Sequence, residues 1–180
     1  GKTDVCLIPY GGGTNVTDAL RCPKNEKRMI VSVDMRRMNR ILWIDPTNQL
    51  ACIQAGAVGR HIQSQLGQFG FTMGHEPDSV EFSTLGGWIA TRSGGHYATL
   101  YTHIDDFVEN LRTVTPSGTL ESRRLPGSGA GPSPDRLMIG SEGILGVITE
   151  AWMRLQDRPT FRAGTAVQFD DFHKAAEAVR

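Results

Sequence analysis

The chain has no excess of charge, no cysteine framework and no long apolar run. Its 180 residues carry 19 Lys+Arg and 19 Asp+Glu, a net charge of zero. A nucleic-acid-binding face needs clustered positive charge, so that class is excluded. The apolar runs fall well short of the roughly 20 residues that span a bilayer as a helix. Gly1-Lys2-Thr3-Asp4 lacks the basic start and apolar middle of a signal peptide. The three cysteines, Cys6, Cys22 and Cys52, are scattered without metal-ligand spacing, and their odd number suits a reducing compartment. No metal site is expected. Cys6 and Cys52 lie in apolar runs and read as core fillers.

Glycine, by contrast, is plentiful: 21 residues, clustered without a period. Clustering suggests close backbone contact with a large ligand and excludes a collagen-like repeat. The first cluster, Pro9-Tyr10-Gly11-Gly12-Gly13-Thr14-Asn15, follows the apolar run Val5-Cys6-Leu7-Ile8. A buried strand running into three glycines turns sharply. Without Cβ atoms a ligand approaches the backbone closely, and successive N–H groups converge on an anion such as a pyrophosphate. An ordinary tight turn is the other reading of this segment.

Three later segments strengthen the phosphate reading. The second, Gly74 to Gly87, mixes hydroxyls, carboxylates and glycines, and its Asp78-Ser79-Val80-Glu81-Phe82-Ser83-Thr84 leads into a short helix over 84–90. Ser83 or Thr84 can cap that helix and leave free N–H groups for a phosphate; capping alone is the alternative. Thr91-Arg92-Ser93-Gly94 follows it. Glu142-Gly143-Ile144-Leu145-Gly146-Val147-Ile148 enters a strand and suits close packing against a flat ring, or is a strand-entry turn. Two candidates for chemistry stand out. His75 lies near the start of the second segment, where it is either functional or simply hydrogen-bonded in place. Arg92 is a cation suited to stabilising an anionic ring or to binding a pyrophosphate.

The remaining pattern is mixed. Strands are expected over 3–8, 28–33, 107–114 and 146–155, with hairpins 41–45/50–55 and 107–114/119–123. The spacing of Val58, Ile62, Leu66 and Phe69 predicts a helix over 58–69, with Gly70 at its C-cap. A short helix fits 135–139. The stretch 125–134 reads as a mobile Gly/Ser/Pro loop, and His103 beside Asp105 and Asp106 as a solvated turn. A strand over 165–169 and a helix over 171–180 begin a new unit. Hairpins without regular strand–helix alternation make the class α+β.

The four segments, in this order, resemble the FAD-binding PCMH-type domain of the vanillyl-alcohol oxidase superfamily. Within it, the runs Thr72 to Ser79 and Met38 to Trp43 are similar to those of the alkylglycerone-phosphate synthase family. The resemblance covers nearly the whole chain. It implies two α+β subdomains with non-covalent FAD between them. It places residues 9–15 at the pyrophosphate, 78–84 and 91–94 at the phosphate and flavin portions, and 142–148 at the adenosine or ribityl side. It also implies a domain over 1–157 missing its N-terminal part, with 158–180 beginning a substrate domain. The chain is then an excerpt of a longer enzyme whose acid and base groups lie further on.

In that family an acyl-dihydroxyacetone phosphate exchanges its acyl chain for a fatty alcohol, with no net redox change. The alternative is an oxidase or dehydrogenase of a 2-hydroxy acid such as D-lactate or glycolate. A third reading is a flavin-free binding module that keeps the fold. Gly95-His96-Tyr97-Ala98-Thr99 and the loop 127–134 depart from the eukaryotic pattern and resemble a bacterial relative. The family implies a small-molecule or lipid substrate, peripheral membrane contact of the full-length protein and a homodimer. It implies a cytoplasmic location if bacterial and a peroxisomal one if eukaryotic. Arg92-Ser93-Gly94-Gly95-His96 also resembles the tract through which berberine-bridge-type enzymes attach flavin covalently. There the histidine sits in the first glycine turn; here that turn has none, so attachment through His96 is not expected.

Overall fold

The computed structural model describes residues 4–122 and 129–179. In chain order its elements are β1 (Val5–Tyr10), β2 (Met29–Asp34), β3 (Ile41–Asp45), β4 (Leu50–Gln54), α1 (Gly59–Gly67), β5 (Phe71–Thr72), α2 (Leu85–Thr91), α3 (Ala98–Tyr101), α4 (Ile104–Phe107), β6 (Val108–Thr115), β7 (Gly118–Glu121), α5 (Pro134–Met138), β8 (Val147–Arg154), β9 (Gln156–Asp157) and α6 (Phe172–Val179). The class is α+β. Among the described residues, no helix is long and apolar enough to cross a membrane, and no cluster of His, Cys, Asp and Glu could hold a metal ion.

Two sheets matter for the site. β1 and β2 pair in parallel, Val5 opposite Met29 and Tyr10 opposite Asp34. A parallel pair cannot be joined by a tight turn, and the connection over 11–28 is an irregular loop that carries the glycine turn. Pro9 lies inside β1, which tolerates it because only one side of the strand pairs among the described residues. The strand accordingly extends two residues beyond the expected end at Ile8.

The second sheet is antiparallel, in the order β3-β4-β8-β6-β7. β4 is an inner strand, and Leu50, Ala51, Cys52 and Ile53 are all buried. That is why its sequence is a continuous apolar run rather than an alternating one. One face carries Ala51, Ile53, Ala151 and Met153, all fully buried, beneath Ile62 and Leu66 of α1 and Leu85, Trp88 and Ile89 of α2. On the other face Cys52 lies in register between Trp43 and Trp152, whose indoles meet edge to face at 4.5 Å.

Several local expectations change. α1 ends at Gly67, and the N–H groups of Gln68, Phe69 and Gly70 each donate to the carbonyl three residues back. This tightened turn postpones the left-handed residue, so Gly70, with φ of +79°, terminates the turn and not the helix itself. Residues 165–169 form no strand, because nothing pairs with that exposed stretch among the described residues. The solvated turn expected at His103, Asp105 and Asp106 is instead the start of α4, with His103 at its N-terminal cap position, α3 just before it and Asp105 buried. Of the loop expected over 125–134, residues 125–128 lie outside the described residues.

Candidate functional site

A cleft of about 1050 Å³ separates the two sheets. Residues 6–17 of β1 and its glycine turn form one wall. α2 and the segments 77–79 and 93–96 form the opposite one, and Glu142, Gly143, Ile144, Gly146 and Ile148 close a side. All of Pro9, Tyr10, Gly11, Gly12, Gly13, Thr14 and Asn15 reach the cleft, as do Asp78, Ser79, Ser83, Thr84, Thr91, Ser93 and Gly94. Segments more than a hundred residues apart in sequence thus share one surface. Thr17 bridges two of them, its hydroxyl donating to Glu142 at 3.4 Å.

The glycine turn is built by packing as well as by freedom. A Cβ on Gly12 would stand 2.1 Å from the Phe82 carbonyl oxygen, and one on Gly11 would stand 2.2 Å from the Thr84 hydroxyl oxygen. Gly13 takes φ of +70°, where a side chain is strained. These glycines therefore let the first segment lie directly on the second. Among the described residues, the N–H groups of residues 12–17 donate to no protein acceptor. Exposed donors such as that of Val16 meet water, and a run of open donors on a cleft wall suits an anion. Among the described residues, Arg21 is the one arginine or lysine that lines the cleft, and it pairs with Asp18 at 3.5 Å.

On the opposite wall the free N–H groups expected at the start of α2 narrow to that of Gly87, which donates to no protein acceptor among the described residues. Thr84 occupies the N-cap position of α2 without a side-chain cap hydrogen bond. The N–H groups of Leu85 and Gly86 donate to the carbonyls of Ala57 and Ala55 at 3.0 and 2.7 Å, so they are spent on fastening α2 to the sheet. Ser83 is also spent: it accepts from the Trp88 indole N–H at 2.7 Å and donates to the Ser79 carbonyl at 2.8 Å.

Other expected residues lie outside the cleft lining. Val80 packs against Gly59, while Glu81 is exposed and Phe82 turns its ring to the surface. Leu145 packs on the core, and Val147 begins β8. Arg92, the left-handed C-cap of α2 with φ of +50°, reaches away to Asp105 and donates at 2.7 Å. Asp105 also receives Arg136 at 3.6 Å. Desolvation opposes ionisation of Asp105, but the two guanidiniums win and its pKa lies below the ordinary value. Arg92 ties α2 to α4 in this geometry. His96 does line the cleft, and its Nε2 lies 2.8 Å from Asp78, both side chains being well exposed.

His75 lies behind the wall and is 3% exposed. Its ring meets Trp88 edge to face at 5.1 Å, and its Nε2 lies 2.9 Å from the Ser93 hydroxyl. Burial, with His103 adding repulsion, lowers its pKa to about 4. The unfolded chain, near 6.5, takes up this proton first. Stability from this group is therefore complete above pH 6.5 and declines as pH falls, by about 3 kcal/mol at pH 4. Urea melts from pH 7 to 4 should show this loss, and His75→Gln should flatten that part of the slope.

Gly86 and Gly87 close the second candidate segment with no cofactor contact assigned to them, and Trp88 and Met35 have none either, although all four line the cleft. The pair Gly86-Gly87 carried a signal. A Cβ on Gly87 would meet nothing nearer than Thr84 Oγ1 at 3.5 Å, so its open side is the cleft itself.

Glycine segments that converge on an anion-suited cleft within an α+β frame fit a cofactor domain. The chain belongs to the FAD binding domain family, whose profile matches residues 1–122. It is 46% identical over 179 residues to an alkyldihydroxyacetonephosphate synthase of Dictyostelium discoideum, covering 99% of this chain and 29% of that protein. A solved structure described as an alkyldihydroxyacetonephosphate synthase superposes with a TM-score of 0.83 at 48% identity, covering 88% of this chain and 28% of the other. The glycolate oxidase subunit GlcD of Bacillus subtilis stands further off, at 30% identity over 177 residues, 97% of this chain and 37% of that one. The chain thus spans under a third of the synthases it matches.

Proposed function

We propose that this chain is the FAD-binding portion of a flavoenzyme that exchanges the acyl chain of an acyl-dihydroxyacetone phosphate for a fatty alcohol. The observation that carries the cofactor part is the run of unspent N–H groups at residues 12–17 on the cleft wall, facing the glycine-lined surface of α2. Those donors suit a pyrophosphate, and Arg21, paired with Asp18, is the cation on the same lining. Gly87 offers a flat approach for a ring, and Ile144 and Ile148 offer apolar contact. When bound, FAD supplies the reactive ring system; this chain supplies binding, orientation and exclusion of water. Identity with the synthases well above that with GlcD favours exchange over hydroxy-acid oxidation. In this reading 1–157 is the FAD domain and 158–180 begins the substrate domain.

The test is turnover by the full-length protein. Alkyl product from acyl-dihydroxyacetone phosphate and a fatty alcohol, without consumption of an electron acceptor, is expected. Acceptor reduction by glycolate or D-lactate instead would replace this reading with the oxidoreductase one.

Gly87 provides a separate check. Alanine there is a better helix former by up to about 1 kcal/mol, and it meets no protein atom closely. Gly87→Ala should leave the FAD-free protein as stable or slightly more so, while weakening FAD binding at least tenfold, as read by a thermal melt and a flavin fluorescence titration.

A further inference from the structure

The His75–Ser93 contact has a direction that burial decides. Nε2 lies 2.9 Å from the Ser93 hydroxyl, while Nδ1 is buried with no hydrogen-bond partner. Trp88 and Phe107 stand against the ring at 5.1 and 6.2 Å. With its pKa lowered to about 4, the imidazole is neutral at pH 7 and carries one N–H. A proton on Nδ1 would bury an N–H donor among apolar rings with nothing to receive it. A proton on Nε2 leaves only a lone pair unmet, the less costly of the two defects. His75 is then the donor and the Ser93 oxygen the acceptor.

This assignment decides where the serine hydrogen goes. Ser93 lines the cleft, and its backbone is fixed on both sides: its N–H donates to the Trp88 carbonyl at 2.9 Å, and its carbonyl accepts from Ile104 at 3.3 Å. With one oxygen lone pair occupied by His75, its O–H is left to serve the cleft. We propose that His75 is a positioning residue that holds the Ser93 hydroxyl as a hydrogen-bond donor toward an acceptor atom of the bound cofactor. The inference rests on FAD occupying the cleft.

A double-mutant cycle on FAD affinity in the full-length protein tests it. Removing the single hydrogen bond by Ser93→Ala should weaken FAD binding about tenfold. His75→Phe, which keeps an aromatic ring but cannot donate, should cost a similar factor. In the Ser93→Ala background His75→Phe should then cost nothing more, because His75 acts through Ser93. His75→Gln, which keeps an N–H at comparable reach, should return affinity to within about threefold. Histidine ¹⁵N spectra of the FAD-free protein should show His75 protonated on Nε2, a readout that needs neither cofactor nor variant. Equal losses from His75→Phe with and without Ser93, or protonation on Nδ1, would overturn the proposal while leaving FAD binding intact. Failure of the unaltered protein to bind FAD would instead remove the cofactor reading, and this inference with it.

Discussion

Gly12→Ala should abolish useful FAD binding while leaving both sheets folded. The added Cβ would stand 2.1 Å from the Phe82 carbonyl oxygen, 2.7 Å from its carbon and 2.9 Å from the Ser83 Cα. All three are backbone atoms, so no side chain can rotate aside. The collision is relieved only by lifting the glycine turn from the segment it rests on. That turn makes few backbone hydrogen bonds to the rest of the protein, so lifting it spares the sheets and displaces the donors at residues 12–17. Overpacking of this kind costs about 3 kcal/mol, which corresponds to a loss in FAD affinity of at least about 100-fold. Gly11→Ala should be milder, because its nearest neighbour is the Thr84 side-chain oxygen at 2.2 Å. Flavin fluorescence titration with circular dichroism of the FAD-free protein checks both. Wild-type affinity in Gly12→Ala would show that the turn need not lie on Phe82.

Gly56→Ala should strike the fold itself. A Cβ there would lie 1.7 Å from the Met35 carbonyl oxygen and 2.8 Å from that of Met38. Gly56 stands between Ala55 and Ala57, 2% and 0% exposed, whose carbonyls receive the Gly86 and Leu85 N–H groups of α2. Ala55 in turn donates to the Thr149 carbonyl at 2.9 Å. Movement at Gly56 therefore disturbs the end of β2, the start of α2 and the edge of β8 together. The expected loss is about 3 kcal/mol or more, seen as a lower urea midpoint with or without FAD. Gly164→Ala, where a Cβ meets open space, is the matched control and should be neutral.

The difference between these two glycines shows what the sequence could reveal. Gly12 sits in an obvious cluster after an apolar run, and its importance was legible, but its protein neighbour was not. The expected close neighbour was a ligand, whereas the tight contact is Phe82, seventy residues away in sequence. Gly56 stands alone between alanines, and nothing local marks it; its constraint comes from the Met35 carbonyl brought over by tertiary folding. The hairpin of β3 and β4 and helix α1 were readable because their periodicity and turn residues are local. The parallel pairing of β1 with β2 was not, since register between distant segments leaves no local trace. His75 and Arg92 were singled out by residue type and neighbourhood. Neither pattern tells that one ring lies behind the wall or that the other side chain turns to Asp105. Gly86 and Gly87 look alike in the sequence, and only the structure separates the one against Ala55 from the one facing the cleft.

On this reading the cleft between the two sheets holds FAD without a covalent bond. The most direct measurement is the visible absorption spectrum of the purified full-length protein before and after acid precipitation. Flavin bands that leave with the supernatant are the predicted result. Bands retained in the pellet would contradict non-covalent binding and return attention to His96, which lines the same cleft. No flavin bands, even after FAD is added, would contradict the account as a whole.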